Sequence, residues 1–354
     1  MPLPPLRPRS FGSLAALLCA CVAPELAPYR EERPAMGTTF AITVYAPDAD
    51  TAEAALAAAF ARIDELDGRL SDYDSQSELS RLSDHPVDTA IPVSDDLWEV
   101  LVVAALIAEQ SEGAFDITVG PLSRLWRRAR RQGRAPSPER LTHARRATGA
   151  QLLSLEPRER TVRLRATGMR LDLGGIAKGF ALDEALDVLT ERGLPQALVD
   201  GGGDVALGEP PPGREAWLVA VEATGESSEP RPRLALARAA VAPSGDRYRR
   251  ALVAGRRSSH ILDPRTGLGL PAAISATVVA PSGVLADALA SALCVLGPER
   301  GLALVDSLSG VEARVTTGEG ARLRTTESIG FAALVLSSRS TPKNTHGPPT
   351  ARDE

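Results

Sequence analysis

Lysine is almost absent from this chain: of its 40 basic residues only Lys178 and Lys343 are lysine, the rest arginine. With abundant alanine and leucine, that bias points to a GC-rich coding sequence rather than to a function. Cysteine is scarce too, with three residues at positions 19, 21 and 294. Two of them sit in an apolar leader, so a disulfide-stapled scaffold is excluded for the mature domain if Cys21 is its first residue. A net charge of −5 removes any overall attraction to nucleic acid. Missing as well are GxGxxG, GxxxxGK[ST] and GxSxG, so Rossmann, Walker and hydrolase-elbow assignments have no support. No internal repeat is present.

What remains is an ordinary globular composition, 44% hydrophobic and 24% charged over 354 residues, enough for one to three domains. Residues 1–23 read as a leader: Arg7 and Arg9 precede the run FGSLAALLCACVA, too short to span a bilayer but suited to a signal peptide. Leu18-Cys19-Ala20-Cys21 is similar to a lipobox, with Cys21 the residue to be lipidated and Cys19 an unusual occupant of its slot. That places the protein outside the cytoplasmic membrane, held by a lipid anchor. Residues 24–34 read as a tether, 35–337 as the folded domain, and 338–354, rich in Ser, Thr, Pro and Gly, as a disordered tail.

Within the domain, Thr38–Tyr45 alternates as a strand and 49–68 repeats as a helix. Asp72–Leu82 reads as a polar loop in which SELSRL begins another turn, and 95–111 as an apolar helix capped near Ser94. Six arginines around Trp126, from Arg124 to Arg134, read as a solvated helix and loop rather than a nucleic-acid or lipid-headgroup patch. Strand-like pieces are expected at 151–155, 161–165, 169–173, 197–199, 205–207, 217–221, 234–241, 276–279, 311–316, 323–325 and 329–336. Helices are expected at 177–192, at 284–296 ending on Gly297-Pro298, and at 298–308. Without a regular βαβ rhythm, this mixture points to α+β.

Four polar segments carry the chemistry. In DLGGIAKG (172–179) a Gly-Gly turn opens a helix whose N-terminus attracts anions, and Lys178 adds a positive charge in its first turn. Asp287 and Ser291, four apart on one helix, offer a carboxylate and a hydroxyl on the same face, and a carbonyl of the Gly174-Gly175 turn supplies a third hard oxygen. In SSHILDPRTG (258–267), His260 can accept a hydroxyl proton near neutral pH. Asp263 either orients it, binds metal or caps the following turn; capping is the plainer role. Asp200-Gly201-Gly202-Gly203-Asp204 is open to both tight packing and ligand lining. Hard oxygen ligands, glycine-lined backbone and a neutral base suit Mg-assisted chemistry on a phosphate ester.

With these motifs in order, the chain resembles the ApbE family of FAD:protein FMN transferases. The likeness runs through Met36-Gly37-Thr38-Thr39, LSDYDSQSELSRL (70–82), GAFDITVGPL (113–122), LDLGGIAKGFALD (171–183), DGGGD (200–204), SSHILDPRTG and ADALASAL (286–293), over roughly residues 34 to 337. It implies an α+β, T-fold-like architecture of mixed sheets with packed helices. It also implies a reaction: FAD is cleaved at its pyrophosphate, FMN passes to a Thr or Ser hydroxyl of an acceptor protein, and AMP leaves. Acceptors in such systems are subunits of membrane redox complexes of the Nqr and Rnf type.

Carried over by position, the Gly175 carbonyl, Asp287 and Ser291 would hold Mg²⁺. Met36, Tyr73, Ala114, Phe115, Asp116, Asp172, Lys178 and Ile261 would contact FAD, and His260 would activate the acceptor hydroxyl. Ser291 replaces a more usual threonine, Gly175 a frequent alanine and Asp200 a common asparagine. Two other readings stand beside the transferase: an FAD pyrophosphatase using the same Mg²⁺ site, and a flavin-binding lipoprotein without catalysis.

Overall fold

The computed structural model describes residues 25–221, 232–245, 251–253, 256–319 and 322–336; the leader with Cys19 and Cys21, and the tail beyond 336, lie outside them. At the centre is an eight-stranded sheet. Its order is Ala27–Ala35, Thr38–Ala46, Ala197–Gly201, Asp204–Leu207, Ala239–Gly245, Ile274–Ala280, Glu312–Thr317 and Arg324–Glu327. Every neighbouring pair in it is antiparallel.

Side chains alternate across this sheet, and both faces are covered. Ala206, Ala240, Ala242, Ala276, Val278, Ala313 and Val315 belong to the main core with the helices Ala49–Leu70, Ala177–Glu191 and Gly283–Asp306. Val205, Leu207, Val241 and Val279 turn the other way, onto a smaller core with Trp217, Leu234, Leu236 and Phe331. The period of two explains both faces. Alanine dominates the first face, which lets helices lie close. Closest of all is the crossing of two helices at Gly179 and Gly283, where a methyl on Gly179 would stand 2.0 Å from the Gly283 carbonyl oxygen. That contact brings Lys178 of one helix beside Asp287 of the other.

Several expectations change. The tether read over 24–34 is largely an edge strand, Ala27–Ala35, paired residue for residue with Thr38–Ala46. Its charges disguised it: Arg30 and Glu32 bond on one face, and Arg33 and Glu31 on the other. Charged side chains and Pro34 are typical of a sheet edge that has no further partner. Residues 169–173 form no strand; Asp172 N–H instead donates to the Ile117 carbonyl at 2.8 Å. The run 234–241 is two strands, Arg233–Leu236 and Ala239–Gly245, broken where Arg238 takes φ 48°. Over 329–336 the expected strand gives way to a short helix, Phe331–Leu334, because Glu312 accepts from Gly330 N–H and turns the chain. SELSRL is a full helix, Glu78–Asp84, capped by Ser77. The two expected C-terminal helices, by contrast, are both present: the stretch Gly283–Asp306 breaks at Gly297, whose φ of 77° and ψ of 176° are non-helical, and resumes at Pro298.

Candidate active site

One cavity of about 740 Å³ opens at the end of the sheet where the glycine turns gather. That volume lies in the range of small-molecule sites, about 300–1,000 Å³. Eleven of the twelve residues singled out from the sequence line it: Tyr73, Ala114, Phe115, Asp116, Asp172, Gly175, Lys178, His260, Ile261, Asp287 and Ser291. Met36 does not. It sits in the hairpin turn with φ 49°, its N–H donating to Asp67 Oδ2 at 2.9 Å and its side chain packed on the core.

Lys178 is the hub. Its ammonium donates to Asp204 and, at 3.3 Å, to Asp287 Oδ2, which also accepts from Gly179 N–H. Both carboxylates are nearly enclosed, with side chains 6% and 7% exposed. Burial opposes the ammonium, but Asp287 and Asp204 overcome it and hold the Lys178 pKa above the usual lysine value. Burial, then Asp287, push the Asp204 carboxyl up to about 7. One lysine cannot neutralise two buried carboxylates, so once pH rises past about 7 and Asp204 ionises the cluster carries a surplus negative charge. Lys178 thus gives two of its three N–H donors to carboxylates while lining the cavity.

Beside this cluster the Gly174-Gly175 turn closes on the helix bearing Asp287. A methyl on Gly175 would stand 3.0 Å from Ser291 Oγ and 3.4 Å from Phe115, so alanine here would crowd that hydroxyl. Both hydrogen bonds that Asp287 accepts fall on Oδ2, and the residue lines the cavity. Oxygen donors beside surplus negative charge fit a hard divalent cation that takes most of its ligands from substrate and water. Among the described residues no group of three or more His, Cys, Asp and Glu gathers, so a zinc-type ligand set is not assembled there.

The opposite wall belongs to the helix Gly120–Gln132. Ser123, Arg127 and Arg130, at i, i+4 and i+7, share the face that lines the cavity. Arg127 donates to Asp72 and, at 3.1 Å, to Asp172 Oδ2, and lies 4.5 Å from the centre of the Tyr73 ring. Asp172 Oδ1 in turn accepts from Gly174 N–H, so arginine, acid and glycine turn are linked. Burial and then Asp172 raise the Asp72 carboxyl above its ordinary value. Arg130 has no carboxylate partner among the described residues; it reaches the Ser259 carbonyl at 3.5 Å. Burial, and then Arg127, lower its pKa. Tyr73 is 81% exposed, an aromatic ring held at the mouth.

The loop carrying His260 is pinned to that helix, for Trp126 Nε1–H donates to the Gly267 carbonyl at 2.7 Å. His260 and Ile261 face the cavity. Asp263 is the turn cap: its carboxylate accepts from the backbone N–H and the guanidinium of Arg265, and its carbonyl from Gly267 N–H. Asp116 is buried, accepts from the N–H and hydroxyl of Thr118, and has its pKa raised by burial. The Asp200–Asp204 segment does both things open to it. Gly202 (φ 73°) packs on Thr38 and lines the cavity, Asp200 accepts from Gly203 N–H, and Asp204 reaches Lys178.

Arg127 and Arg130 escape a reading of motifs, and Asp204, although it closes the DGGGD segment, has no role that the segment alone assigns. Arg127 and Arg130 were hidden in an arginine run taken as solvated, though their spacing from Ser123 at helical period marks a common face. For Asp204 the motif was visible but its partner was not, since only the folded chain brings it to Lys178.

The chain is similar in sequence and in fold to known proteins. The model of the ApbE family matches residues 36–315. An FAD:protein FMN transferase of Vibrio cholerae is 32% identical over 77% of this chain and 83% of its own length. One from Haemophilus influenzae is 31% identical over 77% and 81%. Among solved structures, the flavin transferase ApbE from Vibrio cholerae superposes with a TM-score of 0.78 at 28% identity, covering 87% of this chain and 99% of that one. The apo form of the Pseudomonas stutzeri flavinyl transferase ApbE gives 0.77 at 31% identity, over 88% and 97%. By sequence over most of its length and by fold, the chain belongs to the ApbE family.

Proposed function

We propose that this protein is an FAD:protein FMN transferase that moves FMN from FAD onto a Thr or Ser hydroxyl of an acceptor protein and releases AMP. The observation that carries this reading is the convergence on one cavity of Lys178, Asp204, Asp287, Ser291, the Gly174-Gly175 turn and His260. The acceptor oxygen attacks the phosphorus of the FMN half, the bond to the AMP oxygen breaks, and the hydroxyl proton passes to His260. Asp287, Ser291 and the Gly175 carbonyl would hold Mg²⁺, which when bound offsets charge on the diphosphate. Lys178 keeps Asp204 and Asp287 apart in charge and in place. Tyr73, Phe115, Asp116, Asp172 and Ile261 frame the flavin nucleotide. The acceptor is proposed to be a subunit of an Nqr- or Rnf-type membrane redox complex, reached by a lipoprotein anchored through Cys21 outside the cytoplasmic membrane.

The test is co-expression with candidate acceptors and mass spectrometry for FMN on one hydroxyl residue, followed by assay with purified FAD, Mg²⁺ and that acceptor. Fluorescent, gel-stable protein plus AMP is the expected product. Free FMN with an unmodified acceptor would make the protein a pyrophosphatase, and tight FAD binding without cleavage would make it a carrier. His260→Ala is expected to bind FAD normally and transfer at least a hundredfold more slowly, the usual scale of a lost general base. Unchanged transfer would move the proton acceptor elsewhere.

A further inference from the structure

Residues 120–146 contain nine arginines and a single acid, Glu139, in a chain whose net charge is −5. They form two helices packed against each other, Gly120–Gln132 and Pro138–Arg146. Elsewhere on the surface arginines are commonly paired, as in Arg30–Glu32, Arg160–Asp95, Arg238–Glu209 and Arg300–Glu112. Among the described residues none of Arg128, Arg131, Arg134 and Arg140 has a carboxylate partner, and all four are exposed. A groove of about 500 Å³ runs between the helices, lined by Leu125 and Ala144 and by Arg124, Arg128, Arg140 and His143, with Glu139 its one acidic residue.

We propose that this pair of helices is the surface on which the acceptor protein docks, through an acidic face that lays an apolar side chain into the groove. The proposal rests on the transferase reading, which requires a protein partner to reach the cavity. The first helix presents two adjacent faces. Ser123, Arg127 and Arg130 line the cavity, while Arg124, Arg128 and Arg131 follow at the same i, i+4, i+7 spacing one residue further on. A partner seated on the second face therefore lies beside the mouth at which Tyr73 stands exposed. Concentrated positive charge on an otherwise negative molecule steers an acidic partner to this side and repels a basic one. The apolar lining adds the desolvated anchor that a purely electrostatic encounter lacks.

The experiment uses the full-length protein and the acceptor found to carry FMN. Arg128→Glu, Arg131→Glu and Arg140→Glu are combined, leaving every cavity-lining residue in place. kcat/KM for the acceptor is expected to fall at least tenfold at low ionic strength, with KM for FAD unchanged. That gap is expected to narrow in 0.5 M salt, since exposed charges are screened over about 10 Å at 0.1 M and less at higher salt. A second triple variant to lysine keeps the charge and is expected to retain most of the rate. Equal kcat/KM in the glutamate variant and the wild type overturns the docking surface. So does an unchanged rate together with loss of binding to phosphatidylglycerol vesicles, which would assign the patch to a membrane surface. Absence of transfer by the wild type to any protein would instead overturn the transferase reading, and the docking surface with it.

Discussion

Replacing Lys178 by methionine isolates the charge at the centre of the site. The stem is kept, but two carboxylates whose side chains are 6% and 7% exposed lose the ammonium between them. Removing one partner of a buried ion pair costs about 3–5 kcal/mol, because the remaining charge is left without compensation. Lys178 itself is 28% exposed, so water relieves part of the loss and the lower end, about 3 kcal/mol, applies. For a domain of this size that is about 5–10 °C in Tm. The assay is thermal unfolding in the presence of a chelator, for wild type, Lys178→Met, Asp204→Asn and the double variant. Adding Asp204→Asn to Lys178→Met removes one of the two like charges and is expected to recover most of the lost Tm. A methionine variant as stable as wild type would refute the surplus-charge account. So would a double variant no more stable than the single.

Asp287→Ala is expected to fold, since Lys178 then balances Asp204 alone, yet to lose Mg²⁺-dependent turnover; full activity in that variant removes Asp287 from the metal site. Gly179→Ala drives a methyl to within 2.0 Å of the Gly283 carbonyl oxygen and should cost about 1–3 kcal/mol or more, and an unchanged Tm would contradict the helix crossing. Asp183 accepts from the N–H groups of Gly283 and Val284 at the start of the long helix, and burial pushes its carboxyl up to about 6 from 3.8. Its folded pKa is raised, so the folded state binds the proton more tightly. The stability it contributes is full below about pH 4 and falls as pH rises to about 6. Chemical denaturation should therefore show the cost of Asp183→Asn shrinking by about 2 kcal/mol between pH 4 and pH 7, at about 1.4 kcal/mol per unit. A cost that grows with pH would refute it.

Local chemistry was legible along the chain. The helix Asp95–Gln110 shows its apolar period and the cap at Ser94, and the helix Ala177–Glu191 follows its Gly-Gly turn, because the signals lie within a few residues of one another. Gly175, Lys178, Asp287 and Ser291 could be singled out since each stood in a motif whose residue types suit phosphate and metal chemistry. The edge strand Ala27–Ala35 was hidden: its alternation is of charges at a sheet margin, not of apolar side chains. Residues 329–336 looked like a strand because β-branched and apolar residues follow one another, but a carboxylate from the neighbouring strand turns the backbone.

By itself, then, the sequence decided which residues offer oxygen donors, an imidazole and a glycine turn, for those are properties of residue type and short spacing. Only the tertiary structure decided where charge is left over. Asp204 and Asp287 lie 26 and 109 residues from Lys178, and a surplus carboxylate arises only when three elements meet and enclose both acids. The same holds for the arginine helix, whose period was readable but whose two faces acquired different surroundings through the Trp126 contact with the loop of His260. Electrostatics of this kind depends on distance and burial, and neither is a property of any one segment.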